Sequence, residues 1–247
     1  MKILVVIPTY DESSNIETLV KADLDIAPDI EVLVVDDNSP DGTGALVDEL
    51  IASGKFGSRL HIMHRPDKMG LGTAYVQGFK WGLDRGFDIF ISQDADFSHN
   101  PQYIRDMLSY AENGVDVLIG SRYVKGGKVV NWGVGRRIIS RCGSTYARII
   151  LMMRIRDMTG GYNLYTRRAL EAISLDTVMS KGYAFQIEMK WRCVIAELRV
   201  VETPIIFKDW RVGFSKMNRH IFIEAMWRVF YMAVHRRKVM KILRDSA

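Results

Sequence analysis

Asp94 and Asp96 stand two residues apart in the stretch Ser92-Gln93-Asp94-Ala95-Asp96-Phe97-Ser98-His99-Asn100. They follow the apolar run Phe87-Asp88-Ile89-Phe90-Ile91, which reads as a buried strand. Ligands of open α/β sheets bind outside the carboxyl ends of the strands. Two carboxylates at such an end suit a hard divalent cation, which takes oxygen ligands and is held by one or two carboxylates plus substrate phosphates. The competing expectation is a strand end and helix cap that happen to be acidic. Three further loops follow predicted strands: Pro8 to Glu12, Asp36 to Asp41, and Lys68 to Gly72. A parallel sheet brings all four loops to one rim, and a chain has no structural need to gather carboxylates there. The Lys68-Met69-Gly70-Leu71-Gly72 loop could cradle a phosphate through backbone N–H groups at a helix start, or be only a tight turn that lets a helix pack closely. It has neither the Gly-x-Gly-x-x-Gly fingerprint nor the Gly-x-x-x-x-Gly-Lys-Ser/Thr loop, so neither a dinucleotide fold nor a P-loop ATPase is supported.

The elements that position these loops alternate. Lys2 to Ile7, Glu31 to Val35, Arg59 to His64, Phe87 to Ile91 and Val115 to Ile119 read as strands. Helices are expected between them: one opening near residues 12 to 14, where Ser14 and Glu17 resemble a capping box, one through Leu46, Leu50 and Ile51, one from Thr73 to Arg85, and one opening at Asn100-Pro101. The pattern predicts an α/β fold with a mostly parallel sheet and right-handed crossovers. The second half differs. Gly120 to Gly135 reads as a long, glycine-rich mobile loop, Arg136 to Arg156 as a helix, and residues 160 to 180 as a short strand and helix. Lys181 to Ala196 reads as a helix, Leu198 to Val201 and Ile205 to Lys208 as strands, and Arg211 to Lys216 as a basic loop. A single final helix is expected from Met217 to Leu243. No linker composition separates the halves. The expected organisation is one domain over 1–217 with a basic amphipathic helical extension over 218–247.

The 247 residues are enough to bury a real core without staples. Two cysteines, Cys142 and Cys193, lie far apart, which points to a reducing compartment and excludes a structural zinc. The net charge of +5 and pI near 9.1 call for an anionic partner, and the excess lies in Arg136 to Arg168 and Arg228 to Arg244. Nucleic acid, a membrane surface and a phosphorylated substrate all fit that charge, but no nucleic-acid motif is present. No signal peptide is expected, since Ile3 to Ile7 is short and runs into Pro8. No transmembrane span is expected either, since Ile221 to Val234 is interrupted by Glu224 and Arg228 and is shorter than the roughly 20 residues a span needs. The stretches Ile138 to Arg156 and Ile221 to Arg244 mix apolar residues, the aromatics Trp227, Phe230 and Tyr231, and Arg/Lys. That is the composition of helices lying in a membrane interface, or of core helices with basic ends.

The motifs resemble a family. Ile7-Pro8-Thr9-Tyr10-x-Glu12, Val34 to Thr43 around Asp36-Asp37-Asn38-Ser39, Lys68-x-Gly70-Leu71-Gly72-x-Ala74 and Asp94-Ala95-Asp96-x-Ser98-His99 are similar to those of the inverting family 2 glycosyltransferases of GT-A fold. Among these the chain is most similar to the dolichol-phosphate (polyprenol-phosphate) mannose synthases. Gly120-Ser121-Arg122-Tyr123, Thr159-Gly160-Gly161-Tyr162, Gly182-Tyr183-x-Phe185-Gln186-x-Glu188-Met189 and Gly213-x-Ser215-Lys216-Met217 agree, in the family's order. The resemblance implies that Pro8, Tyr10, Glu12 and Asp37 hold the nucleotide, with Asp94, Ala95 and Asp96 against the nucleotide sugar. It implies that Asp94, Asp96 and Ser98 hold Mg²⁺ or Mn²⁺. It also implies that Arg122, Arg136, Arg137, Arg211 and Lys216 handle phosphate groups, with Asp96, Arg122 and Lys216 as the catalytic set. Two departures stand out: the family's Asp-Arg-x-x-Gly-x-Ser-Lys is Asp209-Trp210-Arg211-Val212-Gly213-Phe214-Ser215-Lys216 here, and its Thr-Ser-Gly is Thr159-Gly160-Gly161.

The implied reaction moves mannose from GDP-mannose to a polyprenyl monophosphate. A phosphate monoester, with second pKa about 6, is largely dianionic at neutral pH, so its oxygen needs no strong base. The catalytic load is then electrostatic. The implied location is the cytoplasmic face of a membrane, peripherally bound to lipid or to a membrane-embedded partner protein, without the transmembrane helices that many members carry. Two alternatives stay open: a UDP-glucose-dependent polyprenyl-phosphate glucosyltransferase, and a non-catalytic basic module binding membrane surface or nucleic acid.

Overall fold

The computed structural model describes residues 1–208 and 219–245. Seven strands form the main sheet: β1 (Ile3–Thr9), β2 (Ile30–Asp36), β3 (Leu60–His64), β4 (Ile89–Ser92), β5 (Val117–Ser121), β7 (Asn163–Thr166) and β8 (Val200–Pro204). Their spatial order is β3-β2-β1-β4-β7-β5-β8. All pairings are parallel except those of β7, which runs antiparallel between β4 and β5. A second, two-stranded sheet pairs β6 (Lys128–Val130) with β9 (Ile206–Lys208). The alternating pattern therefore foretells the parallel core, while the inserted β7 comes from the 160–180 segment, whose reading as strand and helix carried no partner.

Each central strand buries both faces, so its residues divide between two cores. On one side Ile3, Val5, Ile7, Val32, Val34, Ile89 and Ile91 pack under α1 (Ile16–Leu24), α2 (Thr43–Ala52) and α4 (Tyr103–Glu112). On the other, Leu4, Val6, Leu33, Val35 and Phe90 meet α3 (Leu71–Asp84). That core continues through α5 (Val134–Ile150), α6 (Arg167–Ala172), α7 (Ala184–Ile195), α8 (Arg219–Val234) and α9 (Arg236–Asp245). Gly78 sets how closely α3 lies on the sheet: a Cβ there would stand 2.5 Å from Val6 Cγ1 and 3.3 Å from Val35 Cγ2. Gly78→Ala is therefore expected to destabilise the protein by about 1–3 kcal/mol through overpacking, despite the better helix propensity of Ala. Urea unfolding of the two proteins measures this.

Several expectations are corrected. No capping box forms: α1 opens at Ile16 without a side-chain cap, because residues 12–15 make a turn in which the Asn15 and Ile16 N–H groups both bond to Glu12 O. Pro101 is not the first residue of α4, which begins two positions later after a turn closed by Tyr103 N–H to Asn100 O. The 120–135 segment is not one open loop, since β6 anchors its middle to β9. The helix predicted to Arg156 ends at Ile150. Met152 takes a left-handed φ of 57°, Met153 N–H reaches back to Arg148 O at 2.8 Å and Met152 N–H to Ile149 O at 3.2 Å, the double bond of a Schellman cap. A methionine where glycine is usual leaves no sequence signal for that stop. The final helix is two, broken at His235. In α9 the apolar Val239 and Leu243 are buried against the protein, so this basic helix turns its apolar side inward rather than outward. Among the described residues no helix is long and apolar enough to cross a membrane.

Candidate active site

The strand order reverses between β1 and β4, which lie side by side. That switch point is where an open sheet leaves a crevice, and the acidic loop after β4 sits there. Non-glycine residues with positive φ follow three of the converging strands: Asp11 (61°) after β1, Asn38 (54°) after β2 and Phe97 (57°) after β4. Asp and Asn tolerate this conformation, but for a bulky residue such as Phe97 it is a true outlier. Strained backbone of this kind persists only where surrounding contacts over-determine it.

Hydrogen bonds tie the loops after β1 and β2 into one unit. Asp11 N–H donates to Ser39 Oγ, Glu12 N–H to Thr43 Oγ1 at 3.0 Å and Ser13 N–H to Asp41 Oδ2 at 2.9 Å. Asp36 is occupied internally, accepting from Thr9 Oγ1, Ser39 N–H and Ser39 Oγ. Its neighbour Asp37 instead faces Arg65, with Nη1 and Oδ1 2.6 Å apart and both side chains nearly buried. Burial raises the Asp37 carboxyl above the usual carboxylate range, although the Arg65 charge pulls it down. The Lys68 ammonium lies 3.6 Å from the centre of the Tyr10 ring, so the third loop closes over the first. Pro8 and Tyr10 are part-exposed and Glu12 is buried.

The glycines of the Lys68–Gly72 loop serve packing rather than a phosphate cradle. Gly72 N–H donates to Lys181 O at 2.7 Å, and the Gly70 N–H is turned to Asp37. A Cβ on Gly72 would stand 2.6 Å from Ser180 O and 2.9 Å from Phe185 Cβ. The Gly72 amide is therefore engaged inside the protein.

Asp94 and Asp96 line a cavity of about 220 Å³ together with His99, Arg122, Trp132, Arg136 and Phe207. Asp94 N–H donates to His99 Nδ1 at 3.1 Å, so the neutral ring carries its proton on Nε2. The Tyr75 hydroxyl donates to Gln93 O at 3.1 Å and lies 3.5 Å from Asp94 Oδ1. Asp96 Oδ1 accepts the Ser98 N–H. Burial, with the like charge of Asp96, raises the Asp94 carboxyl above its ordinary range, against the pull of His99 and Arg122. Ser98 is buried, its Oγ has no hydrogen-bond partner among the described residues, and it is not among the cavity-lining side chains. Ala95 packs into the core on the α1/α4 side.

These donors suit a divalent cation. Two mutually repelling carboxylates open onto one cavity, and no group of three or more His, Cys, Asp or Glu able to hold a metal exists among the described residues. An oxygen-only pair of this kind leaves coordination positions for phosphate oxygens and suits Mg²⁺ or Mn²⁺ rather than a closed structural metal.

A basic wall lines the same cavity. Arg122 leaves β5 with its Nε 2.7 Å from Asp157 Oδ2 and Nη2 2.7 Å from Asp157 Oδ1. Nη2 also donates to Thr159 Oγ1 at 2.8 Å, while Nη1 has no hydrogen bond among the described residues. The guanidinium sits 5.5 Å from the ring centres of Trp132 and Phe207. Arg136 lies over the other part of this wall, 4.2 Å from the Trp132 centre. Arg137 is exposed and not among the lining residues. Arg211 and Lys216 lie outside the described residues. The apolar lining of the same cavity comes from α5, α7 and α8: Ile139, Tyr146, Ile187, Met226 and Val229.

Sequence reasoning missed Asp157, Trp132 and Phe207. Trp132 lay within the presumed loop, and Asp157 belongs to no pattern; only its pairing with an arginine 35 residues away reveals it.

The model of the glycosyl transferase family 2 matches residues 4–174. The chain belongs to glycosyl transferase family 2. This glycosyltransferase is 46% identical over 226 residues to a polyprenol monophosphomannose synthase of Mycolicibacterium smegmatis, covering 92% of this chain and 84% of the relative. It is 44% identical to an undecaprenyl-phosphate mannosyltransferase of Micrococcus luteus, covering 92% and 91%. The fold is the GT-A-like one of a solved glucosyl-3-phosphoglycerate synthase from Mycobacterium tuberculosis in complex with Mn²⁺, UDP and glucosyl-3-phosphoglycerate (TM-score 0.62, 18% identity, 96% of this chain and 79% of that one).

Proposed function

We propose that this glycosyltransferase moves mannose from GDP-mannose to the phosphate of a polyprenyl monophosphate, with inversion at the anomeric carbon and with Mg²⁺ or Mn²⁺ as cofactor. The observation that carries the reading is the composition of one cavity, which an acidic pair, two arginines and apolar side chains line together. A sugar nucleotide with its cation, a phosphate and an isoprenoid chain ask for those three environments. The names of the two mannosyl-transferring relatives support the sugar and the acceptor class.

Pro8, Tyr10, Glu12 and Asp37 are the residues for the base and ribose, with Lys68 and Arg65 against Tyr10 and Asp37. Asp94 and Asp96 would hold the divalent cation, which when bound supplies charge neutralisation for the diphosphate leaving group. Arg122 and Arg136 attract and orient the lipid phosphate. One of its oxygens forms the new bond to the anomeric carbon while the bond to the diphosphate oxygen breaks, and GDP departs with the electron pair. No proton need be removed from a dianionic acceptor, so no side chain is assigned as base. His99, lowered in pKa by its burial against the pull of Asp94, stays neutral and orients the Asp94 backbone.

The lipid is reached at the membrane surface. Val134, Ile138, Ile149 and Met152 of the α5 region and Trp227, Phe230 and Val234 of α8 are exposed, beside Arg137 and Arg141. Exposed aromatic and aliphatic side chains among arginines fit the interfacial layer of an anionic leaflet, which supports a peripheral position on a membrane, read here as its cytoplasmic face.

The test offers labelled GDP-mannose and UDP-glucose side by side with a short polyprenyl phosphate. Label is expected in the chloroform-soluble fraction from GDP-mannose alone, abolished by EDTA and restored by Mg²⁺ or Mn²⁺. Label from UDP-glucose, or transfer indifferent to EDTA, overturns the donor or the cofactor assignment.

A further inference from the structure

Lys190 is a charged residue inside a helix that is buried on nearly all sides. It is fully inaccessible, and its ammonium donates to Asp157 O at 2.8 Å and Gly160 O at 2.7 Å. Those carbonyls bracket the turn 157–160. From the other side Glu202 of β8 accepts the N–H groups of Arg156 and Asp157 at 2.8 and 2.9 Å. The turn's own carboxylate, Asp157, binds the Arg122 side chain and also accepts the Gly160 and Arg122 N–H groups. Thr159 joins Arg122 Nη2 to Ser144 of α5. The next residue, Gly161, lies against Asp94, whose carboxylate oxygens would be 3.5 and 3.6 Å from a Cβ there.

We propose that Lys190 is a positioning residue for acceptor use: by clamping the two ends of the 157–160 turn it fixes the Asp157 carboxylate that aims Arg122 into the cavity. This rests on the reading of Arg122 as the group that meets the lipid phosphate. Three features carry it. An ammonium can satisfy two carbonyls at once with three donors. Among the described residues, the charged group of α7 that hydrogen-bonds to that turn is Lys190. And a buried cation is retained only where its donors are used.

The clamp has a pH signature. Burial lowers the Lys190 ammonium to about 8, with Asp157, Glu202 and Cys193 opposing the fall and Arg122 adding to it. These charged and titratable groups come from the turn, β8, its own helix and the residue that follows β5. As pH rises through 8 the ammonium becomes an amine, and the hold on the two carbonyls weakens while the Arg122–Asp157 pair keeps its charges.

The experiment compares the wild type, Lys190→Arg and Lys190→Met as full chains, with folding checked by circular dichroism. In Lys190→Met the KM for polyprenyl phosphate is expected to rise at least about 10-fold, the loss of about one charge-assisted hydrogen bond. The GDP-mannose Kd from calorimetry is expected to stay within about 2-fold. The wild-type kcat/KM for the acceptor should fall above pH 8, and Lys190→Arg should move that fall to higher pH. Independently of turnover, the Arg122 Nε–H resonance in ¹⁵N-labelled protein should be sharp and slow to exchange in the wild type and broadened in Lys190→Met. A folded Lys190→Met with wild-type acceptor KM and an unchanged Arg122 resonance overturns the proposal. If the wild type transfers no mannose at all, the reaction assignment fails, while the Arg122 resonance still decides whether Lys190 holds the turn.

Discussion

Asp96→Asn is expected to lower mannose transfer by roughly 10³-fold while leaving the fold intact. The magnitude follows from what the residue would supply: removal of a single preorganised electrostatic contact at a developing charge costs about 10²–10³ in rate, and in the proposed metal role the loss would also weaken the hold on the cation. Asp96 is only half-buried, and the hydrogen bond it makes among the described residues is the one it accepts from Ser98 N–H. An amide oxygen can still accept that bond, so stability should change little. The measurement pairs initial rates at saturating Mn²⁺ with a thermal melt of each protein. A variant that keeps a tenth or more of wild-type activity would remove the acidic pair from the mechanism. Asp94→Asn is a less clean probe, because Asp94 is also within reach of the Tyr75 hydroxyl.

Asp157→Ala has the largest expected cost in stability, about 3–5 kcal/mol. Breaking a buried pair by removing one partner leaves the other charge uncompensated, and Arg122 is 7% exposed while Asp157 is inaccessible. Four donor contacts to the carboxylate disappear with it: the Arg122 N–H, Nε and Nη2 groups and the Gly160 N–H. Acid should mimic the mutation. Burial raises the Asp157 carboxyl, but the Arg122 charge and hydrogen bonds, with Lys190, outweigh it and hold the carboxyl well below the usual range. A group whose folded pKa is depressed contributes stability that is fully present above its unfolded value near 3.9 and is lost as pH falls through the folded one. The wild type should therefore lose stability below about pH 4 more steeply than Asp157→Ala. Chemical denaturation from pH 3 to 7 measures both slopes. Parallel curves, or a cost of less than about 1 kcal/mol at pH 7, would show that the pair contributes no net stability.

The acidic loop after β4 and the parallel strands β1 to β5 were legible before any coordinates. Their signals are local: near-continuous β-branched runs, turn clusters at their ends, and two carboxylates where a strand must stop. The glycine loop was legible only as two alternatives. Which held depended on Lys181 O occupying the Gly72 amide from more than a hundred residues away. Arg122 was singled out, but its guanidinium is not a free cation; it is bound on one edge by Asp157 and flanked by Trp132 and Phe207. The C-terminal helices show the same limit. Composition left the C-terminal stretch open between an interfacial helix and a core helix with basic ends; α9 buries Val239 and Leu243 while α8 exposes Trp227, Phe230 and Val234.

By itself, then, the order of residues determined the alternating layers, the rim on which the loops gather and the acidic pair at its centre, because periodicity and turn chemistry act over a few neighbouring residues. Tertiary structure alone decided where β7 enters the sheet, which carboxylate holds Arg122 and why a lysine can lie inside α7. A buried charge is tolerated only where distant segments bring it partners, and such partners leave no trace in local spacing.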